Sequence, residues 1–139
     1  MATSLWIGLA LAVAVGMSPK PLALVVDDES DLRHVVRTIL EHVGIDVVEV
    51  ANGREALALL DEGDFDLVIT DIQMPLMDGL ELLRAIRLRP GAQPKVIVMS
   101  AQEWRAPEAM GAGAYEYLRK PFELRDLMMV VMRAMQAVA

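Results

Sequence analysis

The sequence predicts a single α/β domain in which helices cover both faces of a parallel β-sheet. Five short apolar runs alternate with five amphipathic stretches, an order typical of repeated β-α units. A length of 139 residues is enough for one domain with a sizeable core and leaves little room for a second module. We find neither an internal repeat nor a low-complexity tract.

The predicted strands are short runs rich in branched apolar residues, and the predicted helices are the amphipathic stretches between them. The strands cover residues 22 to 26, 45 to 50, 66 to 70, 95 to 99 and 114 to 118. The helices cover Asp31 to Val43, Gly53 to Leu60, Gly79 to Leu88, Pro107 to Ala112 and Leu124 to Val138. Ser30 or Asp31 is the expected N-cap of the first helix, and Gly44 is expected to end it.

The composition narrows the range of partners and chemistry. The chain carries 13 basic and 20 acidic residues, a net charge of -7. That balance argues against direct binding to nucleic acid through phosphate contacts and suits a protein or cation partner. The absence of cysteine excludes disulfides, zinc-thiolate sites and thiol nucleophiles. It also fits a reducing compartment, so we expect a cytoplasmic protein.

The N-terminal region contains an uninterrupted apolar run from Leu5 to Met17. As a helix it would be about 20 Å long, against roughly 30 Å of bilayer hydrocarbon, and no Lys or Arg precedes it as in a signal peptide. Three interpretations stay open: a non-native or misassigned start, a membrane-surface anchor, and a helix that packs on its own domain or on a second copy. We divide the chain into an apolar tail, residues 1–17, and a domain, residues 18–139. Residues 1–16 are expected to be dispensable for folding.

Polar side chains stand where four of the predicted strands end. Asp27 and Asp28 follow the first strand, Asp71 the third and Ser100 the fourth, and Lys120 lies just beyond the fifth. Because the carboxyl ends of parallel strands share one edge of the sheet, these residues should converge on a single site. Each has an ordinary structural explanation alone, but their common position favours a functional site.

The charges of this site predict its chemistry. Three carboxylates within about 5 Å of one another repel by about 3 kcal/mol per pair, so a cation is expected among them. Oxygen-only ligands favour Mg²⁺, which commonly bridges to phosphate. One carboxylate could then act as the nucleophile of an aspartyl phosphate, with Lys120 as a point charge and Ser100 as a hydroxyl donor. His34 and His42, on the first predicted helix, are expected to be ordinary surface residues.

Four segments carry a family resemblance: "LVVDDE", "VITDIQMPLMDGLELL", "VMSA" and "GAYEYLRKPF". Together they resemble the receiver domain of two-component response regulators, in particular the stand-alone, chemotaxis-regulator-like receivers. The resemblance covers about Lys20 to Val138. It implies a flavodoxin-like, doubly wound sheet of five parallel strands in the order 2-1-3-4-5.

The resemblance also assigns the site. It implies that Asp71 receives a phosphoryl group from a histidine kinase or a histidine phosphotransfer protein. Asp28 and Asp71 would bind Mg²⁺ directly, Asp27 through water, and Gln73 through its backbone carbonyl. The domain would itself catalyse phosphotransfer and dephosphorylation.

The resemblance also implies which residues contact the phosphoryl oxygens and which aromatic side chain moves on phosphorylation. Ser100 and Lys120 would contact those oxygens, and the bond from Lys120 to Pro121 is expected to be cis. Tyr117 matches the family's switch aromatic, which turns inward when Ser100 is drawn to the phosphate. The stretch from Ser100 to Lys120 is slightly shorter than the common pattern, so a shortened fourth helix is expected.

The final helix suggests an output surface. Its apolar stripe should face the sheet and comprises Leu124, Leu127, Met128, Val131, Met135 and Val138. Met129, Val130 and Met132 fall outside that stripe, and flexible Met side chains suit an adaptable surface. We expect a partner face of Trp104, Tyr117, Met129 and Met132, with the segment Arg105 to Gly113, that binds a downstream protein or a second copy.

Two alternatives to a stand-alone receiver remain. One is an aspartyl-phosphate hydrolase of the haloacid dehalogenase type, which also places a nucleophilic Asp after a strand. That family has a second Asp two positions later, where this chain has Gln73. The other is a receiver fragment of a longer regulator.

Overall fold

The computed structural model describes residues 20–138 and forms one five-stranded parallel sheet. The strands are β1 (Leu22–Val26), β2 (Asp46–Val50), β3 (Leu67–Asp71), β4 (Lys95–Ser100) and β5 (Glu116–Arg119). The helices are α1 (Ser30–His42), α2 (Gly53–Glu62), α3 (Gly79–Arg87), α4 (Ala106–Gly111) and α5 (Leu124–Val138), and a 3₁₀ turn, Glu103–Arg105, precedes α4. The strand order is β2-β1-β3-β4-β5, as predicted.

Two apolar clusters, one on each face of the sheet, form the core. One joins α1 and α5 to alternate residues of the strands, for example Val36 of α1, Ile69 of β3 and Leu127 of α5. The other joins α2, α3 and α4 to the opposite strand positions, for example Val68 of β3 and Leu83 of α3. The central strands β1 and β3 are buried along their whole length, which explains their continuous apolar runs.

The helix ends follow local signals, with one correction. Gly44 has a φ of 87° and ends α1 as predicted, because glycine adopts this left-handed conformation without steric cost. The predicted N-cap was wrong: Glu29 occupies that position, without a side-chain hydrogen bond. The Asp27 carboxylate instead accepts the Glu29 N–H at 2.9 Å, so the preceding acid takes over part of the capping role.

The fourth helix is short, as expected. α4 has six residues and begins with a proline in its first turn. Gly113, with a φ of 105°, follows it. The Lys120–Pro121 peptide bond is cis, also as expected. In the part of the chain that the structure describes, none of the helices combines the length and apolar character that crossing a bilayer requires.

The burial pattern of α5 corrects two predictions. Leu124 was expected to face the sheet but is 58% exposed, because it stands at the first position of the helix, ahead of the part that meets the strands. Val130 was placed outside the core stripe but is buried in the cluster with α1. Leu127 and Val131 are fully buried, and Met128 and Met135 pack against the same cluster, as predicted. The side chain of Val138 lies outside the described residues.

Candidate functional site

The first two acids of the site follow β1. The Asp27 N–H donates to the carbonyl of Val50 at 3.2 Å, which continues the pairing with β2 by one residue. The Asp27 side chain is fully buried. Asp28 is exposed at the mouth of the site. The pair therefore divides into one buried carboxylate and one that faces solvent.

Asp71 is the last residue of β3 and is 6% exposed. Gly79, at the start of α3, packs against its backbone: a Cβ there would stand 2.0 Å from the Asp71 carbonyl oxygen. The Gly79 N–H also donates to the Ile72 carbonyl at 2.8 Å. The start of α3 thus lies directly behind Asp71, an approach that only glycine permits.

The loop between Asp71 and Gly79 contains a strained residue. Leu76 has a φ of 72° and is 65% exposed. The Met77 N–H donates to the Pro75 carbonyl at 2.8 Å, which makes a γ-turn of the positive-φ type around Leu76. A branched residue in this conformation carries a steric penalty. Sequence reasoning missed this feature, since nothing in the residue types predicts a left-handed leucine.

Lys120 brings the fifth strand into the site. Its Nζ lies 3.2 Å from Asp27 Oδ2 and 3.1 Å from Asp71 Oδ2. Its backbone N–H donates to the Ser100 carbonyl at 2.9 Å, which fixes the lysine beside the end of β4. Burial works against the charge of Lys120, but attraction to Asp71 and Asp27 outweighs it, so the pKa of Lys120 is raised above its ordinary value.

Asp27 responds to the same surroundings in a different way. Burial, which disfavours a charged carboxylate, raises its pKa above the ordinary value, and the charge of Asp71 adds to this effect. The Glu29 N–H and the Lys120 ammonium oppose the shift without cancelling it. The site therefore disfavours the ionised form of Asp27, even though the Lys120 ammonium lies beside it.

The acidic cluster fits a hard divalent cation. Asp27, Asp28 and Asp71 each offer a carboxylate oxygen, and these oxygens lie within 4.8 Å of one another. Oxygen donors at that spacing, one of them exposed to water, suit Mg²⁺, which binds through a few carboxylates and keeps several waters. Gln73 is exposed in the loop after β3, and its carbonyl remains a predicted ligand.

Ser100 ends β4 and is 1% exposed. Its Oγ accepts the Gln102 N–H at 2.9 Å. Tyr117, half-buried on β5, donates its hydroxyl to the Gln102 carbonyl at 2.8 Å, with a longer contact to the Ser100 carbonyl at 3.3 Å. The buried Gln102 Oε1 has no hydrogen-bond partner among the described residues. Ser100 and Tyr117 are therefore connected through the backbone of Gln102, whose side-chain oxygen lacks a hydrogen-bond partner within residues 20–138.

The predicted partner face is only partly contiguous. Trp104, in the 3₁₀ turn, is 74% exposed, and Met129 and Met132 on α5 are 55% and 51% exposed. Met132, however, borders a groove on the α1 side of α5, whereas Tyr117 packs against the cluster on the opposite face of the sheet. Met132 is therefore separated from the β5 edge.

Two ion pairs that sequence reasoning missed line the exposed edge of β5. Arg119 pairs with Glu103 of the 3₁₀ turn at 3.2 Å, and Arg133 of α5 pairs with Glu116 at 3.1 Å. The exposed charges link the 3₁₀ turn, β5 and α5. Only the sheet order, which makes β5 an edge strand, could have drawn attention to them.

A cationic cluster on α1 supports the buried acid and was also missed. The Arg33 guanidinium donates to the Asp27 carbonyl at 2.6 Å and to Glu49 of β2 at 3.3 Å. Glu49 also accepts from Arg37 at 2.8 Å and contacts His34 at 3.2 Å. Burial works against the ionised form of Glu49, but the interactions with Arg37 and His34 together outweigh it, so the pKa of Glu49 is lowered. His34 and His42 lie at the surface, as predicted.

The fold and this cluster of acids with a lysine define the receiver domain of two-component signalling proteins. The chain belongs to that family: the family model of the response regulator receiver domain matches residues 23–132. This membership decides between the receiver and the haloacid dehalogenase alternative in favour of the receiver.

Particular relatives include longer regulators and single-domain structures. The regulatory protein AtoC of Escherichia coli is 37% identical over 114 residues, which cover 81% of this chain and 25% of AtoC. The transcriptional regulator NtrC of Salmonella typhimurium is 38% identical over 111 residues, covering 79% of this chain and 24% of NtrC. The chemotaxis response regulator CheY4 of Vibrio cholerae superposes with a TM-score of 0.77 at 30% identity, covering 84% of this chain and 99% of that chain. The chain thus spans about a quarter of the length of AtoC and NtrC and nearly all of CheY4.

Proposed function

We propose that this receiver domain accepts a phosphoryl group on Asp71 from a histidine kinase or a histidine phosphotransfer protein and thereby switches a protein-binding face. The observation that carries the proposal is the position of the Asp71 carboxylate. It lies at the end of β3, 3.1 Å from the Lys120 ammonium and within 4.8 Å of two further carboxylates. A nucleophilic oxygen, a fixed cation and a divalent-cation site are the parts that phosphoryl transfer requires.

The transfer step forms one bond and breaks one. An Asp71 Oδ attacks the phosphorus of the donor phosphohistidine, and an O–P bond forms as the P–N bond breaks, with the electron pair returning to the imidazole nitrogen. Lys120 stays protonated because its pKa is raised, so it can neutralise charge on the phosphoryl oxygens. Asp27, Asp28, Asp71 and the Gln73 carbonyl would hold Mg²⁺, which when bound supplies charge neutralisation for the same oxygens.

The switch starts at Ser100. Its hydroxyl oxygen accepts the Gln102 N–H in this structure, and its proton is free to turn toward a phosphoryl oxygen. A shift of Ser100 would disturb the loop that carries the Gln102 carbonyl, the acceptor of Tyr117. The unsatisfied Gln102 Oε1 lowers the cost of rearranging this loop. We assign the output to the adjoining β5 edge, with Trp104, Tyr117 and Met129 as contact residues.

The domain that would be phosphorylated comprises residues 18–139. It belongs to a cytoplasmic protein that acts either as a stand-alone receiver or as the receiver part of a longer regulator. Its downstream partner is a protein or a second copy of the chain.

Phosphotransfer from a panel of purified histidine kinases tests the proposal. The wild-type chain with Mg²⁺ should gain one acid-stable, base-labile phosphoryl group per molecule, and Asp71→Asn should gain none. Asp64→Asn, an exposed aspartate in the loop before β3, is the matched control and should label normally. Labelling that persists in Asp71→Asn, or steady turnover of small phosphoesters, would overturn the assignment.

A further inference from the structure

An apolar groove of about 400 Å³ lies between the carboxyl-terminal half of α5 and the turn that joins α1 to β2. Its principal lining residues are Pro21, Val43, Ile45, Val131, Met132 and Met135. Met132 remains 51% exposed although it borders this groove. The groove is remote from the phosphorylation site, since Pro21 precedes β1 and the acids follow it.

A second hollow of about 290 Å³ lies between the same two helices, toward the first turn of α5. Val35 and Ile39 of α1 and Leu124 of α5 border it, together with the polar residues His34 and Thr38 of α1. Val35 is 46% exposed and Leu124 is 58% exposed. The two hollows therefore mark an apolar valley between α1 and α5, with exposed side chains of both helices that no described residue covers.

The chain itself supplies a segment that suits this valley. Leu5 to Met17 contains no charged residue and connects to Pro21, a residue of the groove wall, through four peptide bonds. Because an extended chain spans at most about 3.6 Å per residue, Met17 stays within about 14 Å of the groove. A short tether of this kind gives an effective concentration in the millimolar range.

The length of the segment as a helix also agrees with the length of α5. The segment would be about 20 Å long as a helix, and α5, with its 15 residues, is about 22 Å long. The same length is too short for the roughly 30 Å of a bilayer core. We propose that Leu5 to Met17 packs intramolecularly into the valley between α1 and α5, parallel to α5, with Met17 near Pro21. This inference does not depend on phosphorylation. A segment bound there would keep other partners out of the valley between α1 and α5.

Fluorescence of Trp6 tests the proposal in the full-length chain. Only two tryptophans are present, so Trp104→Phe leaves Trp6 as the sole reporter. In the docked state Trp6 should emit at short wavelength and resist quenching by acrylamide, at a level that does not change with protein concentration.

Two methionines provide a matched pair of variants. Met132→Glu introduces a charge into the groove and should shift Trp6 emission to the red and raise its quenching several-fold. Met129→Glu introduces the same charge at an equally exposed position of α5 outside the groove and should change neither. Leu124→Glu, in the second hollow, should act as Met132→Glu does. All three positions are exposed, and circular dichroism checks that each variant is folded.

Four results would overturn the proposal. Trp6 could be fully accessible to quencher in the parent chain, or both methionine variants could release it equally. Shielding that grows with protein concentration would assign the valley to a second copy. Shielding that appears only with vesicles of phosphatidylcholine and phosphatidylglycerol would make the segment a membrane-surface anchor.

Discussion

Replacing Lys120 with methionine tests whether this lysine offsets the repulsion between buried carboxylates. The change keeps most of the apolar volume of the side chain and removes its charge. Its removal ends the attraction of the ammonium to Asp71 at 3.1 Å and to Asp27 at 3.2 Å, but it also removes the desolvation cost of a buried ammonium. At an effective dielectric near 20, each attraction is worth about 5 kcal/mol, and the desolvation cost offsets a large part of the sum. We therefore expect a loss of about 3 kcal/mol in the free energy of unfolding without metal near pH 7, within the range for breaking a buried ion pair.

Urea unfolding followed by circular dichroism measures this loss, with chelator and with millimolar Mg²⁺. Mg²⁺ should stabilise Lys120→Met more than wild type, because a cation at the acids takes over the neutralising role of the ammonium. Lowering the pH toward 5 should also reduce the loss of unfolding free energy in Lys120→Met, since a proton on one carboxylate takes over the neutralising role as well. Lys95→Met is the control: Lys95 lies 5.1 Å over the Tyr115 ring at the other end of the sheet, and its loss should cost under about 1 kcal/mol.

A loss of unfolding free energy below about 1 kcal/mol in Lys120→Met would show that the lysine does not neutralise the carboxylates to a significant degree. A loss that Mg²⁺ leaves unchanged would also contradict the expectation, because the metal and the lysine would then not act on the same carboxylates.

Three other variants test single features of the site. Because the folded-state pKa of Asp27 is raised, its ionisation costs stability as pH rises from 3.8 through that pKa. Near pH 7 and without metal, Asp27→Asn should therefore unfold at a higher urea concentration than wild type, and the difference between the two midpoints should shrink toward pH 4. A difference that stays constant with pH would count against the effect of Asp27 ionisation. Gly79→Ala places a Cβ 2.0 Å from the Asp71 carbonyl oxygen and should cost at least about 3 kcal/mol in urea unfolding; a near-wild-type midpoint would show that α3 can move back freely. Leu76→Gly relieves a φ of 72° and should raise the free energy of unfolding in urea by up to about 1 kcal/mol, because the steric penalty removed exceeds the entropy cost of glycine. A lower free energy of unfolding would mean that the leucine side chain contributes more than its backbone conformation costs.

The sequence predicted the parts of the fold that depend on local periodicity. All five strands and five helices are present, because the central strands are continuous apolar runs and the helices are amphipathic. The convergence of Asp27, Asp71 and Lys120 was also predictable, since it follows from strand ends that share one edge. The family resemblance supplied the strand order, which periodicity alone leaves open.

The features that were missed depend on contacts between distant residues. Glu29 takes the N-cap position of α1 and donates its N–H to the Asp27 carboxylate, an arrangement that the residue types do not specify. Val130 is buried and Leu124 is exposed because the position of α5 against the sheet, rather than helical spacing alone, decides which turn is covered. The bond from Arg33 to the Asp27 carbonyl likewise arises only from the packing of α1 beside β1.

Identification of the modified residue tests the central claim most directly. The chain is phosphorylated by a histidine kinase in the presence of Mg²⁺ and then treated with borohydride, which reduces an aspartyl phosphate to homoserine. Peptide mass spectrometry should find homoserine at position 71 and at no other aspartate, including the neighbouring Asp27 and Asp28. Homoserine at another position, or a phosphoryl group that resists borohydride, would contradict the assignment of Asp71 as the phosphoacceptor.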